Sequence, residues 1–263
     1  MDLGIRDRVA LVGGASSGLG RASADRLAAE GCRLILWARG ADALDETARG
    51  MRARHGVEVR TIVADAVEPG AAAFVAERAI AAFGRVDILV LNAGGPPMTL
   101  PLGTDAAGWA RATQLLLLTP VELAQALLPG MRERRWGRVV AILSVGVRQP
   151  ISELVYSNVG RSALTAWLKT VSRAVAADGV TVNGVLPGRI LTPRVESIDR
   201  AIAERDGVSI EDVRTRMQAS IPAGRYGAPD DLGSLVAYLC SAPAAYQTGT
   251  FTAVDGGMLA GLP

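Results

Sequence analysis

The chain has 263 residues, with 28 Lys plus Arg against 26 Asp plus Glu, a formal net charge of +2 and 49% apolar residues. That length suits one large domain or two small ones and carries a sizeable core; the composition excludes general disorder, and a charge excess of two is too small for a nucleic-acid protein. The longest apolar candidate, Leu115 to Leu128, is broken by Pro120, Glu122 and Gln125, so no transmembrane helix is expected.

Short apolar runs alternate with helix-like segments. Val9 to Val12 reads as a buried strand, followed by a glycine-rich turn and a helix over Arg21 to Glu30 closed by Gly31. Arg33 to Trp37 is a second strand, Ala43 to Arg54 a second helix, and Val57 to Val63 a third strand ending at Asp65. Ala71 to Phe83 is a helix, Val86 to Leu91 a strand, Trp109 to Arg134 a long helix and Arg138 to Leu143 a fifth strand. Ser157 to Ala177 is a helix, Val180 to Leu186 a strand, Asp230 to Ser241 a helix and Thr250 to Val254 a last short strand. Strands apolar throughout are buried on both faces, so the pattern implies a parallel sheet covered by helices in one domain. Pro193 to Gln218 interrupts the alternation and reads either as a solvated insertion or as a lid over a cleft.

Other signals are bland. The start, Met1-Asp2-Leu3-Gly4-Ile5-Arg6, has no basic segment followed by an apolar one, so no secretory signal is expected and the chain reads as cytoplasmic. Cys32 and Cys240 read as small buried apolar residues and His55 as a surface residue, and this set makes no metal site. All but one of the basic residues are arginine, the exception being Lys169.

Gly14-Ala-Ser16-Ser17-Gly18-Leu19-Gly20 follows the first strand and opens the first helix. In that setting glycines let the backbone approach a pyrophosphate, and the helix N-terminus supplies unpaired N–H groups. The second strand ends Leu36-Trp37-Ala38-Arg39 without the carboxylate that would bind a ribose 2′-hydroxyl. Arg39 is therefore either a solvated residue at a helix start or the partner of a 2′-phosphate, and the second reading makes the cofactor NADP. Asn92 is either a strand-end cap or a residue that shapes the cofactor cleft.

On these residues the chain resembles the short-chain dehydrogenase/reductase family, in its 3-oxoacyl-reductase-like members, over nearly its whole length. Gly14-x3-Gly18-x-Gly20 matches the cofactor loop, Asp65 with Ala66 the adenine acid segment, Asn92-Ala93-Gly94 the segment after the fourth strand, and Asp255-Gly256-Gly257 the C-terminal signature. Pro187-Gly188-Arg189-Ile190-Leu191-Thr192 matches the segment beside the nicotinamide. The resemblance implies a Rossmann-like doubly wound α/β domain whose NADP site also includes Ser16, Ser17, Leu19, Pro187, Gly188, Ile190 and Thr192. Segment 193–221 would be its substrate lid.

Ser144 matches the catalytic serine that polarises the substrate carbonyl, and Tyr156, twelve residues on, matches the proton-donating tyrosine that also borders the cofactor. In this register the family's Tyr-x-x-x-Lys reads Tyr156-Ser-Asn-Val-Gly160, and the position of its catalytic asparagine is Leu116. Lys169, more than three helical turns from Tyr156, cannot substitute. An unassisted tyrosine has a pKa of ~10, so it remains a proton donor for reduction and is a poor base for oxidation. Arg161 is either a stand-in cation or a residue with a packing or surface salt-bridge role.

The expectation is an NADPH-dependent reductase of a ketone or aldehyde. Its rivals are a dehydratase, isomerase or cyclase on the same scaffold, and a catalytically silent NADP-binding subunit. A serine hydrolase is excluded by the missing histidine base and the missing nucleophile elbow around Ser144. Pro96, Pro97 and Met98 are expected to form one rim of a largely apolar substrate pocket, with Gln149, Ile151 and Leu186 as other walls. The resemblance also implies a homo-oligomer, dimer or tetramer, with no nucleic-acid or membrane partner; Leu115 to Leu118 would serve core and subunit interface.

Overall fold

Strand β1 (Val9–Gly13) is buried at every position and pairs in parallel with β2 (Arg33–Ala38) on one side and β4 (Ile88–Leu91) on the other. This is a computed structural model, and it describes residues 2–261. β3 (Val59–Val63), β5 (Gly137–Ile142), β6 (Val180–Pro187) and β7 (Phe251–Val254) complete a sheet of order β3-β2-β1-β4-β5-β6-β7, with every pairing parallel. The expected Rossmann-like, doubly wound single domain is thus observed.

Helices α1 (Gly18–Ala29), α2 (Ala41–His55) and α9 (Pro229–Leu239) cover one face of the sheet. α3 (Ala71–Phe83), α5 (Thr119–Glu133) and α6 (Val155–Val175) cover the other. Strand order reverses between β1 and β4, which opens a crevice at their carboxyl ends, where such sheets bind ligands.

The expected long helix from Trp109 to Arg134 is not continuous. It divides into α4 (Ala106–Thr113), a π-helical turn over Gln114–Leu118, and α5. Pro120 explains the break: it lacks an N–H and its ring crowds the carbonyl of Leu116, so the ladder widens there. Leu116, at the centre of the turn, is buried at 3% exposure.

A buried anchor ties the sheet's amino end together. Asp87, almost fully buried, accepts hydrogen bonds from the backbone N–H of Val9 (3.1 Å) and from Nε and Nη2 of Arg85 (2.8 and 2.6 Å), and Arg134 lies 3.6 Å away. Asp87→Ala strands those donors; urea unfolding should show a loss of about 3–5 kcal/mol, the cost of breaking a buried ion pair by removing one partner.

His55 sits at the end of α2 with its ring nitrogen 3.1 Å from Asp25, and Lys169 ties the far end of α6 to the carbonyl of Gly249 at 2.8 Å. Cys32 and Cys240 are free and buried. Among the described residues no helix is long and apolar enough to cross a membrane.

Candidate active site

A cleft of about 1280 Å³ runs along the carboxyl ends of the central strands. Its floor begins at the turn after β1. Gly14 and Gly18 hold φ of +57° and +54°, and a Cβ on Gly14 would lie 2.6 Å from Nδ2 of Asn92. That same Nδ2 donates to the carbonyl of Gly13 at 3.0 Å, so Asn92 pins the turn to the end of β4. α1 starts behind the turn with no acidic residue in its first turn and no side-chain cap from Ser17, which leaves its N–H groups facing the cleft unspent. The buried indole N–H of Trp37, which also lines the cleft, has no hydrogen-bond partner. This donor-rich, acid-free cradle fits a dinucleotide pyrophosphate.

Of the expected cofactor residues, Gly14, Ser16, Ser17, Gly18, Leu19, Arg39, Asp65, Ala66, Asn92, Ala93 and Gly94 line the cleft, as do Pro187, Gly188, Ile190 and Thr192. Gly20 does not; it is the packing glycine that lets α1 approach the carbonyls of Gly13 and Gly14. Arg39 extends from the end of β2 with its side chain 67% exposed, 3.7 Å from Asp65. Asp65 also accepts from the N–H of Val67 at 3.2 Å.

The deep end of the cleft is built by the end of β5 and the start of α6. Ser144 Oγ accepts from the N–H of Gly146 at 3.0 Å, which leaves its own O–H free to donate. Tyr156 is only 4% exposed, and its hydroxyl accepts from the N–H of Asp105 at 3.0 Å. Its ring meets Trp109 edge-on at 4.8 Å and fills the gap left by Gly108 on α4. No hydrogen bond joins it to Ser144. Tyr156 borders the cleft, as the family motif implies, whereas Gly160 does not. The Tyr156–Gly160 edge of α6 faces α4 and the π-helical turn, and a Cβ on Gly160 would lie 2.9 Å from Cβ of Leu116. A helix turns 100° per residue, so the next pair at i,i+4 spacing, Ser157 and Arg161, borders the cleft beside Tyr156.

Arg161 donates from Nε to Ser157 Oγ at 3.1 Å and from Nη1 to the carbonyl of Ile142 at 2.8 Å. It makes no salt bridge among the described residues. Burial, with the charge of Arg194 second, pushes its guanidinium down to about 10. The surface salt-bridge reading of Arg161 is thereby excluded.

The segment after β6 forms α7 (Pro193–Asp206) and α8 (Ile210–Ala219), which carry a small apolar cluster of Ile202, Ala203 and Val213 with Met98 against it. Thr192 caps α7, accepting from the N–H of Val195 at 3.3 Å. Arg194, in the first turn of α7, donates to the carbonyl of Pro96 across the cleft. Pro96, Pro97, Met98 and Ile151 line the cleft as expected. Gln149 and Leu186 do not, Gln149 being exposed and Leu186 sealed in the core under the sheet. Arg161 and Arg194 reach the site through tertiary contacts that nearest-neighbour spacing does not reveal; the i,i+4 match of Ser157 with Arg161 is the one sequence signal for either.

A family model described as enoyl-(acyl carrier protein) reductase matches residues 14–259. The 3-oxoacyl-(acyl-carrier-protein) reductase of Escherichia coli is 33% identical over 252 residues, covering 95% of this chain and 97% of that protein. The L-sorbose reductase of Gluconobacter frateurii, solved with NADPH and L-sorbose, superposes with a TM-score of 0.95 at 34% identity over the full length of both chains. A 3-oxoacyl (acyl-carrier-protein) reductase of Agrobacterium tumefaciens, solved with NADP bound, superposes with a TM-score of 0.89 at 28% identity, covering 97% of this chain and 95% of that one. With the glycine turn, the Asn92-Ala93-Gly94 segment and the serine at the end of β5 assembled around one cleft, these likenesses make the chain a member of the short-chain dehydrogenase/reductase family.

Proposed function

We propose that the chain is an NADPH-dependent reductase of a ketone or aldehyde carried on a largely apolar small molecule. The observation that carries this reading is the single continuous cleft joining the glycine cradle to the hydroxyl of Ser144. The similar proteins solved with NADPH or NADP, and named as reductases, support it over the dehydratase, isomerase or silent-subunit readings. When bound, the dihydronicotinamide supplies a hydride to the carbonyl carbon.

The residues of this chain do the rest. The N–H groups at the start of α1 take the pyrophosphate, and Arg39 takes the 2′-phosphate in place of Asp65. Asn92 keeps the turn in shape, and Thr192 closes the nicotinamide end. Ser144 donates its free hydroxyl to the carbonyl oxygen. Pro97, Met98, Ile151, Ile198 and Met217 offer the substrate an apolar wall, and α7 with α8 serves as the lid, latched by Arg194 on Pro96. Exposed Leu118 and Val159, at 41% and 51%, suit burial against a second copy in a homo-oligomer.

Calorimetric titration with NADPH and NADH tests the cofactor assignment. Wild-type protein should prefer NADPH. Arg39→Ala should weaken NADPH about tenfold, ~1.4 kcal/mol, and leave NADH unchanged. Equal affinity for both nucleotides, or no effect of Arg39→Ala, would remove the NADP assignment.

A further inference from the structure

Helix α6 carries a hydroxyl and a cation to the same place, four residues apart on one face. Ser157 Oγ accepts from Arg161 Nε, so its own O–H points elsewhere, and both residues line the cleft beside Ser144. Of the five N–H donors of the Arg161 guanidinium, two are spent, on Ser157 and on the carbonyl of Ile142 at the end of β5. Among the described residues no carboxylate pairs with it. A guanidinium held half-buried with no acid partner and with donors unspent is costly unless something anionic, or becoming anionic, meets it.

We propose that Ser157 and Arg161, rather than Tyr156, form the proton-delivering pair of this active site. This rests on the carbonyl-reduction reading above. As hydride adds to the carbonyl carbon, the C=O π pair moves onto oxygen and the negative charge grows where Ser144, Ser157 and the guanidinium converge. The new alkoxide takes the Ser157 proton, forming an O–H bond. The Arg161 guanidinium stays charged and holds the resulting Ser157 oxyanion through its Nε–H, and Ser157 recovers its proton from water. Carbonyl, hydride donor and one solvent proton thus give the alcohol and the oxidised cofactor. Burial, then the neighbouring charge of Arg194, lowers the Arg161 guanidinium to about 10, which leaves it charged at neutral pH. Tyr156 borders the same cleft and accepts from the Asp105 N–H, but the position four residues on is Gly160, packed against Leu116, so no cation backs its hydroxyl as Arg161 backs Ser157.

The test follows NADPH oxidation by the full chain with ethyl acetoacetate, 1-decalone and L-sorbose as probes, together with NADPH calorimetry and thermal melts of each variant. Arg161→Met should lower kcat about 100-fold or more, the usual cost of losing a preorganised donor to developing negative charge, with NADPH Kd moving less than tenfold. Arg161→Lys should recover at least tenfold of that loss, because it restores the cation. Ser157→Ala should lower kcat at least about tenfold with an unchanged melting temperature. Tyr156→Phe should melt earlier, for the lost Asp105 hydrogen bond, and keep kcat within about threefold.

A wild-type chain that binds NADPH and reduces no probe overturns carbonyl reduction, and this proposal with it. Wild-type turnover that survives Arg161→Met but is lost in Tyr156→Phe overturns the proposal alone. So does an Arg161→Met effect confined to KM, which would make Arg161 a binding cation for an anionic substrate group.

Discussion

Gly20→Ala should cost the chain most of its NADPH affinity. A Cβ there would lie 2.4 Å from the carbonyl oxygen of Gly14, 2.6 Å from that of Gly13 and 2.7 Å from Nδ2 of Asn92. Two of these are backbone atoms, so no rotamer relieves the contact. Either α1 lifts off the turn or the Asn92–Gly13 hydrogen bond breaks. Both changes move the N–H groups that would hold the pyrophosphate. Overpacking of this kind costs about 1–3 kcal/mol. If it falls mainly on the bound state, NADPH Kd rises about 10- to 100-fold. Gly18→Ala is the internal control: it meets only Thr192 at 3.5 Å, and its burden is the positive φ. Its effect on Kd should be the smaller of the two. An unchanged Kd for Gly20→Ala, measured by calorimetry on protein shown to be folded, would mean that this turn does not hold the cofactor.

The second large effect is expected from restoring a lysine where the linear motif asks for one. Gly160→Lys places its Cβ 2.9 Å from Cβ and 3.1 Å from Cδ1 of Leu116, in the seam between α6 and the π-helical turn. Gly160 itself does not line the cleft, so the new side chain starts inside the packed seam. Overpacking adds to the burial of a charge, for a loss of about 3 kcal/mol or more in urea unfolding. Alcohol oxidation should not rise. Were it to rise in a stably folded variant, the helix register described here would be wrong by one residue, and Tyr156 would regain the role of proton donor. Leu116→Ala in the Gly160→Lys background should return part of the lost stability, since the clash is local to that pair.

Much of the molecule was legible in the linear chain. The buried strands announce themselves as unbroken apolar runs, as in Val9–Gly13 and Ile88–Leu91, because a parallel sheet covered on both faces has no polar side to record. The glycine turn was legible for a related reason: backbone approach to a phosphate at a helix start needs glycines at fixed, short spacing. Ser144 and Asn92 stand at strand ends, where one residue of error still leaves them at the mouth of the cleft. The helix break at Gln114–Leu118 was missed although Pro120 marks it, because proline is tolerated in the first turn of a helix and two segments with one apolar face read as one.

What the sequence by itself determined was the doubly wound fold, the cofactor turn with its acid-free β2 end, and the serine at the end of β5; each rests on local pattern. What only the tertiary structure decided was what each edge of α6 meets. Tyr156 and Ser157 are adjacent in the chain and 100° apart on the helix; both border the cleft, but the Tyr156 edge runs on to Gly160 against Leu116 and the Ser157 edge to Arg161. Asp87 beneath Val9, and Arg194 latched to Pro96 across 98 residues of chain, are likewise set by packing between distant segments. The reason is physical: periodicity tells how a helix is striped, but only its neighbours in space determine what each stripe meets.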